Sequence, residues 1–298
     1  MKAWWNVLRV YATTAAVVPV ILGTVLAAGE VKLSWWVFIL TLFCGILLQL
    51  GTNVINTYGD FKSGVDTKES VFRDDQLVTG QIKPKALKVY GIIIFAIVGI
   101  IGIYFVYLRG VPILILGIIG ILFGYNYTAG IAYKYRGLGC LLVFFLMGVL
   151  MVVGAYYMQT GYFSWHVVWA SLPISFLVSA IMFGNEFRDI DYDRKVGIKT
   201  LAIILGREGS RSMHLFMNVM PFLLAIILVV FRALPWPTLL VFALLPNLKR
   251  LLNLGAAVGG GNNTQADLLI PLGVKMHMQF GALQILGVIL GNLWYVWF

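Results

Sequence analysis

Charge is the scarcest property of this sequence. Only 11% of its 298 residues are Asp, Glu, Lys or Arg, and 60% are hydrophobic. A soluble domain carries about 25% charged residues. The two cysteines, Cys44 and Cys140, both lie among apolar residues, which excludes a disulfide framework and a cysteine-based metal site. No polar linker divides the chain. These absences predict an all-α, polytopic membrane protein that forms a single domain over residues 1–298.

The apolar residues form long runs that no charged residue interrupts. These runs cover residues 10–29, 33–59, 89–108, 110–133, 137–185, 212–231, 233–248 and 276–298. A transmembrane helix needs about 20 apolar residues, and the run 137–185 is long enough for two helices joined by a polar turn. The sequence therefore predicts nine transmembrane helices. The eighth, at 233–248, is short and contains three prolines.

The basic residues indicate how these helices are oriented. With the N-terminus on the cytoplasmic side, 19 of the 22 Lys and Arg residues fall in cytoplasmic segments, as the positive-inside rule requires. We predict a multi-pass protein of the cell membrane whose N-terminus and polar loops are cytoplasmic. The net charge of +10 is explained by this asymmetry and by attraction to anionic membrane lipid. Because the basic residues are dispersed over the loops, we predict no nucleic-acid partner.

Ten of the twelve acidic residues occur in two of these cytoplasmic segments, which begin with the same Asn-x-x-x-Asp spacing. Residues four positions apart share one face of a helix. Asn56 and Asp60 should therefore point the same way at the end of one helix, and Asn185, Asp189 and Asp193 at the end of another. The two motifs are four helices apart. This spacing indicates a possible internal repeat of helices 1–4 and 5–8, with a site between the halves.

The first segment must bend before its next aspartate can join such a site. Asp66 lies six residues after Asp60, a separation that no straight helix places on one face. Gly59 and Gly64 permit the bend, because glycine adopts backbone conformations that other residues avoid. Five further acidic residues of the two segments are expected to face solvent: Glu69, Asp74, Asp75, Asp191 and Glu208.

Clustered carboxylates of this kind are typical of a site for divalent cations. Carboxylates that lie close together repel one another, and a bound cation removes that cost. Magnesium prefers a few carboxylates together with the phosphates of a substrate. Two facing sets of carboxylates are therefore predicted to hold two Mg²⁺ ions that bridge a diphosphate. Basic residues of the same segments can pair with the phosphate oxygens. They are Lys62, Lys68, Arg73, Arg188, Arg194, Lys195 and Lys199.

Three segments carry a resemblance to a known family. Residues 56–66, NTYGDFKSGVD, resemble the first aspartate-rich motif of the UbiA superfamily of intramembrane prenyltransferases. Residues 185–206, NEFRDIDYDRKVGIKTLAIILG, resemble the second motif. Its form is similar to the 1,4-dihydroxy-2-naphthoate prenyltransferases of menaquinone biosynthesis and to their vitamin K-forming eukaryotic relatives. Residues 127–139, YTAGIAYKYRGLG, are similar to a further segment of that branch, and the positions of Arg9, Pro19 and Gly23 also fit.

The resemblance implies nine helices around a central cavity that the two motifs cap on the cytoplasmic side. It implies transfer of a prenyl group from an allylic prenyl diphosphate to an aromatic acceptor, most simply 1,4-dihydroxy-2-naphthoate, with two Mg²⁺ ions. The metal ligands would be Asn56, Asp60, Asn185, Asp189 and Asp193. The residues expected to act in catalysis are Asp66, Lys199, Arg188 and Tyr127. Those expected to bind the diphosphate are Lys134, Arg73, Lys68 and Arg194.

The sequence also departs from the family pattern at several positions. Thr57 stands where Asp is frequent, Asp75 where Arg is frequent, and Cys140 where Glu is common in the naphthoate branch. The turn after Tyr127 lacks the usual proline. These departures leave the acceptor open, with hydroxybenzoate, homogentisate, haem or a specialised metabolite as alternatives to the naphthoate.

Two other kinds of membrane protein fit the sequence less well. A CDP-alcohol phosphotransferase also uses an aspartate-rich metal site, but its Asp-Gly…Ala-Arg…Gly…Asp-x-x-x-Asp run is absent. A secondary transporter places ionisable groups in the middle of the membrane, whereas the predicted helix interiors here carry no charge.

Overall fold

The structure is a computed structural model, and it describes residues 2–69, 75–261 and 264–297. Within these ranges all regular elements are helical, and the sole contact of β type is an isolated bridge between Arg136 and Lys199. The predicted all-α class is confirmed. Arg73 and Asp74, both named in the sequence predictions, lie outside the described residues.

The helices follow one another with short connections. The α-helices are α1 (Lys2–Leu8), α2 (Thr14–Ala27), α3 (Trp35–Lys62), α4 (Asp75–Val78), α5 (Pro84–Arg109), α6 (Val111–Asn126), α7 (Gly139–Val143), α8 (Met151–Thr160), α9 (Trp165–Arg188), α10 (Ile190–Lys195), α11 (Leu201–Val230), α12 (Leu245–Gly259) and α13 (Leu269–Trp297). Shorter 3₁₀ helices cover Val10–Thr13, Tyr133–Tyr135, Trp236–Leu244 and Ala266–Leu268. A π-helical segment, Phe144–Leu150, joins α7 to α8.

Eight helical segments of the described ranges are long and apolar enough to cross a membrane. They are Ala3–Ala27, Trp35–Lys62, Pro84–Arg109, Gly139–Thr160, Trp165–Arg188, Leu201–Val230, Trp236–Gly259 and Ala266–Leu293. The chain is thus a multi-pass membrane protein. The apolar helix α6 has 16 residues and is shorter than these eight. The predicted total of nine spans depends on α6 and stays a prediction.

Two of the spans are longer than the charge-free runs that predicted them. The run 233–248 corresponds to a 3₁₀ helix that begins at Trp236 and continues as α12 to Gly259, past Lys249 and Arg250. Prolines occupy the first turn of each part, where a missing N–H breaks no intrahelical bond. The run 212–231 is the apolar part of α11, which already begins at Leu201. Helices therefore continue through charged residues at their ends, and charge alone makes both of these spans too short.

Glycines allow the spans to approach one another closely. A Cβ atom at Gly23 of α2 would lie 2.2 Å from the carbonyl oxygen of Val152 in α8. One at Gly281 of α13 would lie 2.2 Å from a methyl carbon of Val18. Small residues at helix crossings are a general means of packing helices in a membrane. These contacts place α8 and α13 each beside α2. Helix α9 packs against both α11 and α13.

A cavity of about 700 Å³ lies among these helices. Its apolar walls come mainly from α3, α5, α6 and the π-helical segment. One end of the cavity is lined by polar side chains, which come from the C-terminal ends of α3 and α9. The fold thereby brings the two aspartate motifs, which are far apart in the sequence, to the same end of one cavity.

Candidate active site

The first motif occupies the last turns of α3. Asn56 and Asp60 both line the cavity, and their exposed fractions are 6% and 4%. The helical turn places them on one face, as predicted. The Oδ1 atom of Asn56 is buried and has no hydrogen-bond partner in the described ranges. A buried polar atom without a partner is costly, so this oxygen is available to a ligand in the cavity.

The two glycines of this motif act in different ways. Gly64 has a positive φ of 75°, which glycine adopts at little cost. In the turn that it forms, the N–H groups of Val65 and Asp66 donate to the carbonyl oxygen of Asp60, at 2.9 and 3.1 Å. The turn returns Asp66 to the wall of the cavity. Gly59, by contrast, is an ordinary helical residue of α3, so the prediction that it permits a bend is wrong.

Gly59 instead makes room for a neighbouring loop. A Cβ atom at this position would lie 2.5 Å from Oγ1 and 2.7 Å from the carbonyl oxygen of Thr128. The Thr128 hydroxyl donates to the carbonyl oxygen of Ile55 at 3.3 Å. The loop that begins at Tyr127 therefore packs directly against the end of α3, which brings its basic residue to the first motif.

That basic residue is Lys134. Its Nζ atom lies 2.8 and 2.9 Å from the two carboxylate oxygens of Asp60, and the Tyr135 hydroxyl donates to Oδ1 of the same carboxylate. Burial alone would lower the pKa of Lys134, but the charge of Asp60 and the hydrogen bonds to it outweigh burial and raise that pKa. Lys134 is accordingly charged and positioned at the polar end of the cavity.

The second motif lies across the cavity from the first. Asn185, Asp189 and Asp193 all line the cavity. Helix α9 ends at Arg188, and Asp189 separates it from α10. The N–H of Asp189 still donates to the carbonyl oxygen of Asn185, and that of Asp193 to Asp189, at 3.1 and 2.9 Å. The helical spacing thus persists through the break and keeps the three residues on one side.

The Asp193 carboxyl is buried and lies close to other charged side chains. Burial, followed by the charge of Asp189, raises the pKa of Asp193 to about 7, although Lys134 opposes the shift. Asp189 itself is paired with Arg188, whose Nε and Nη2 atoms each lie 2.7 Å from one of its carboxylate oxygens. Each motif thus has one aspartate that is neutralised by a cation of the chain, Asp60 by Lys134 and Asp189 by Arg188.

Tyr127 is placed where it can contact a substrate. It lines the cavity and is buried, and its hydroxyl donates to the sulfur atom of Met182 at 2.8 Å. Burial, with the nearby charge of Glu186, raises the pKa of the Tyr127 hydroxyl well above its ordinary value. The tyrosine is thus a neutral aromatic wall of the cavity.

Several predicted residues lie outside the cavity lining. Lys68, Arg194 and Lys199 are exposed, and the backbone N–H of Lys199 donates to the carbonyl oxygen of Tyr135 at 3.3 Å. Their roles toward a diphosphate stay predictions, as does that of Arg73. Asp191 forms an ion pair with Arg207 at the surface, in line with its predicted exposure. Glu69 and Glu208 are exposed as well.

Two residues of the cavity wall were not among the predicted site residues. Arg9 lines the cavity and has a positive φ of 49°, a conformation that is strained for a residue with a side chain. Glu186 is only 2% exposed, and its Oε2 atom accepts a hydrogen bond from the N–H of Leu201 at 2.9 Å. Glu186 lies inside the second motif, and Arg9 is one of the single positions that fit the family, which was the available signal for them.

Comparison with known proteins identifies this arrangement. Residues 16–254 match the UbiA prenyltransferase family. The chain belongs to that family. It is therefore a prenyltransferase, and the sequence resemblance is confirmed. The predicted position of the two motifs at one end of a cavity agrees with the structure.

Named relatives belong to the branch that the motifs indicated. A 1,4-dihydroxy-2-naphthoate octaprenyltransferase of Bacillus subtilis is 36% identical over 207 residues, which are 69% of this chain and 67% of the relative. One from Haemophilus influenzae is 31% identical over 260 residues, 84% of each chain. A UbiA homologue from Archaeoglobus fulgidus, in a structure bound to GPP and Mg²⁺, has a TM-score of 0.62 at 17% identity. The match covers 96% of this chain and 99% of that one, and it shows a shared fold.

Proposed function

We propose that this UbiA-family enzyme transfers a prenyl group from an allylic prenyl diphosphate to 1,4-dihydroxy-2-naphthoate, a step of menaquinone biosynthesis. The observation that carries the proposal is the single cavity in which polar residues of both motifs meet long apolar walls. The polar end suits a diphosphate and the apolar walls suit a prenyl chain. The names of the relatives from Bacillus subtilis and Haemophilus influenzae support the naphthoate as acceptor.

The oxygen atoms at the polar end fit a magnesium ion. Asn56 offers a buried oxygen without a hydrogen-bond partner in the described ranges, and the Asp193 carboxyl, whose pKa is raised to about 7 by burial and then by the charge of Asp189, lines the same cavity. Hard oxygen donors of this kind are those that Mg²⁺ prefers. The ligands would be Asn56, Asp60, Asn185, Asp189 and Asp193. When bound there, Mg²⁺ supplies positive charge that stabilises the departing diphosphate.

Two of the motif carboxylates, those of Asp60 and Asp189, pair with basic residues of the chain. Among the described residues, no three acidic, His or Cys side chains converge in the manner of a metal site. The reason lies in the two ion pairs, because Asp60 is directed at Lys134 and Asp189 at Arg188. A diphosphate in the cavity could pair with both basic residues, which would leave both aspartates available to hold a metal ion.

The chain's own residues then have separate tasks. Lys134, Arg188 and Arg9 line the polar end and donate hydrogen bonds to the diphosphate, where charge-assisted bonds are strong. The apolar walls exclude water from the allylic cation that forms as the diphosphate leaves. The ring of Tyr127 attracts positive charge, and the electron-rich carbon of the acceptor ring attacks the cation. That carbon then loses its proton, or CO2 where it bears the carboxylate, which restores the aromatic ring. Electrostatic stabilisation of the leaving group is the main contribution of the protein.

The setting of the enzyme is proposed on the same grounds. The sequence places 19 of 22 basic residues on the face that carries both motifs, so we propose a cell-membrane enzyme whose active site opens to the cytoplasm. Residues 1–298 would act as one prenyltransferase domain. Exposed apolar residues on the spans, such as Ile100, Ile103 and Phe231, would contact membrane lipid.

A reconstitution assay tests the proposal. The purified protein in lipid vesicles is incubated with an allylic diphosphate, Mg²⁺ and one acceptor at a time: the naphthoate, hydroxybenzoate, homogentisate or haem. Mass spectrometry should detect a prenylated naphthoate whose formation stops in EDTA. Product with a different acceptor alone would refute the naphthoate assignment. Full activity in EDTA would refute the metal site, and no product with any acceptor would refute the reaction.

A further inference from the structure

A second cavity, of about 530 Å³, lies between α11 and α12 and is separate from the active site. Its lining consists of Arg211, Ser212, His214, Leu215, Leu245, Leu248, Lys249, Leu252, Asn253 and Ala256. Within this part of the described chain the lining includes two cations and no acidic side chain. The cavity is therefore a positively charged groove on the outside of the helix bundle.

Each of the two cations borders a charge-free run of the sequence. The charge-free run 212–231 begins directly after Arg211, and the run 233–248 ends directly before Lys249. Along α11, Arg211 is roughly 28 Å from residue 230, at 1.5 Å per residue. Along the 3₁₀ helix and α12, Lys249 is roughly 24 Å from residue 236. The first distance approaches the ~30 Å thickness of the hydrocarbon core, so Arg211 lies at headgroup level on the proposed cytoplasmic face. Lys249 lies deeper, in the span that continues to Gly259, and a lysine side chain can extend its charged end toward the headgroups.

The groove becomes apolar on the membrane side of these cations. Leu215 follows Arg211 by one helical turn, and Leu245 precedes Lys249 by one turn, so each pair shares a helix face. The exposed fractions of Leu215 and Leu245 are 52% and 46%. Cationic groups thus lie directly beside exposed leucines, an arrangement that matches a charged headgroup joined to an acyl chain.

The other end of the groove is closed by a tight helix contact. A Cβ atom at Gly255 would lie 2.3 Å from Nδ1 of the buried His214, and one at Gly259 would lie 2.9 Å from Cβ of Arg211. The helices α11 and α12 meet at these glycines. An occupant therefore has to lie away from this contact, along the stretch of the groove that Leu245, Leu248 and Leu252 line.

We infer that this groove binds one anionic membrane phospholipid, with its phosphate between Arg211 and Lys249 and an acyl chain along Leu215 and Leu245. A basic residue near a membrane surface attracts anionic lipid, and the lining of the groove presents two basic residues and no acidic one. A soluble phosphate would leave the leucines unused. This inference does not depend on the identity of the prenyl acceptor.

Native mass spectrometry of the purified protein in detergent tests the inference. Phosphatidylglycerol and phosphatidylcholine are added in equal amounts, and the lipid that stays bound is counted. The unmodified protein should retain phosphatidylglycerol in clear preference. The double variant Arg211→Gln/Lys249→Gln should lower that preference about tenfold or more. The matched control is Arg250→Gln, because Arg250 is also exposed on α12 but lies outside the groove lining; it should keep the preference.

Three results would overturn the inference. One is equal retention of both lipids by the unmodified protein, which requires no variant and does not depend on variant folding. Another is an equal loss of preference in the Arg250→Gln control, which would indicate general surface charge. The third is displacement of the lipid by inorganic phosphate at matched concentration, which would indicate a soluble anion as the occupant. None of these results concerns prenyl transfer, so they leave the proposed function untouched.

Discussion

The Nζ atom of Lys134 lies 2.8 and 2.9 Å from the two carboxylate oxygens of Asp60. The lysine comes from the loop after α6 and the aspartate from the end of α3, 74 residues earlier. Both side chains are largely buried. The pair therefore ties the loop to the first motif, and it holds in one place a carboxylate that suits a metal and a cation that suits a diphosphate.

Removal of Lys134 should destabilise the protein in a way that magnesium repairs. Lys134→Met leaves Asp60 buried without its cation, and breaking a buried pair costs about 3 kcal/mol. We expect a lower thermal unfolding midpoint without metal, and a larger rise on addition of Mg²⁺ alone than in the unmodified protein. The double variant Asp60→Asn/Lys134→Met, which buries no lone charge, should unfold close to the unmodified protein. An unchanged midpoint in Lys134→Met would contradict the role of the pair.

The two paired aspartates should be essential for transfer. Asp60→Ala and Asp189→Ala each remove an oxygen ligand from the cavity wall, and we expect prenyl transfer to fall by at least about a hundredfold. The protein should still insert into membranes, because neither residue lies in an apolar wall. Asp191→Ala is the matched control, since its side chain is half-exposed and pairs with Arg207 at the surface. Equal losses in all three variants would indicate general damage rather than a metal site.

Acid should raise the concentration of magnesium that the enzyme needs. Burial and the charge of Asp189 raise the pKa of Asp193 to about 7 in the metal-free protein. Below that pH the carboxyl is protonated, and a proton must leave before a metal can bind. From pH 8 to pH 6, the half-maximal Mg²⁺ concentration should rise about tenfold through this group. Prenyl transfer measured over a magnesium series at each pH checks this.

An Asp193→Asn variant provides the control for the pH experiment. Without the titrating carboxyl, the magnesium requirement should be higher at pH 8 and should change little toward pH 6. A rise as steep as in the unmodified protein would assign the effect to a different group.

Enlarging Gly59 should separate the loop from the first motif. A Cβ atom there would meet the Thr128 backbone at 2.7 Å, and backbone cannot yield as a side-chain tip can. Gly59→Ala should displace Lys134 from Asp60, and misplacement by about 1 Å can cost a hundredfold in rate. The control is Gly184→Ala, beside the second motif, where an added Cβ would meet no atom within 4 Å. That change should leave activity intact and favour the helix by up to about 1 kcal/mol.

Glu186 should matter for stability through the start of α11. Its carboxylate accepts hydrogen bonds from the N–H groups of Leu201 and Ala202, which lack partners at a helix N-terminus. Glu186→Ala leaves these groups buried and unpaired, at a cost of about 1–3 kcal/mol. Glu186→Gln retains an oxygen acceptor and should cost less. Thermal unfolding of both variants measures the difference, and equal losses would show that the hydrogen bonds contribute little.

The amino-acid sequence alone is enough to predict the fold class, the approximate spans and the two motifs. Scarcity of charge and the length of apolar runs require membrane helices, because the bilayer tolerates neither charge nor unpaired backbone. The four-residue spacing put Asn56 with Asp60, and Asn185 with Asp189 and Asp193, because a helix repeats about every four residues. Each of these inferences depends on neighbours in the chain.

Contacts between residues far apart in the sequence follow from the packing of the helices and could not be predicted. Lys134 contacts Asp60 because Gly59 admits the loop against α3, and no local pattern records that contact. Lys134 lines the cavity and Lys199 is exposed. The spacing rules could not distinguish their positions, since both are basic residues in segments that resemble the family. Nor could they show Arg211 and Lys249 on two sides of one groove. Sequence periodicity fixes the face of one helix, whereas the partner of that face depends on how all the helices pack.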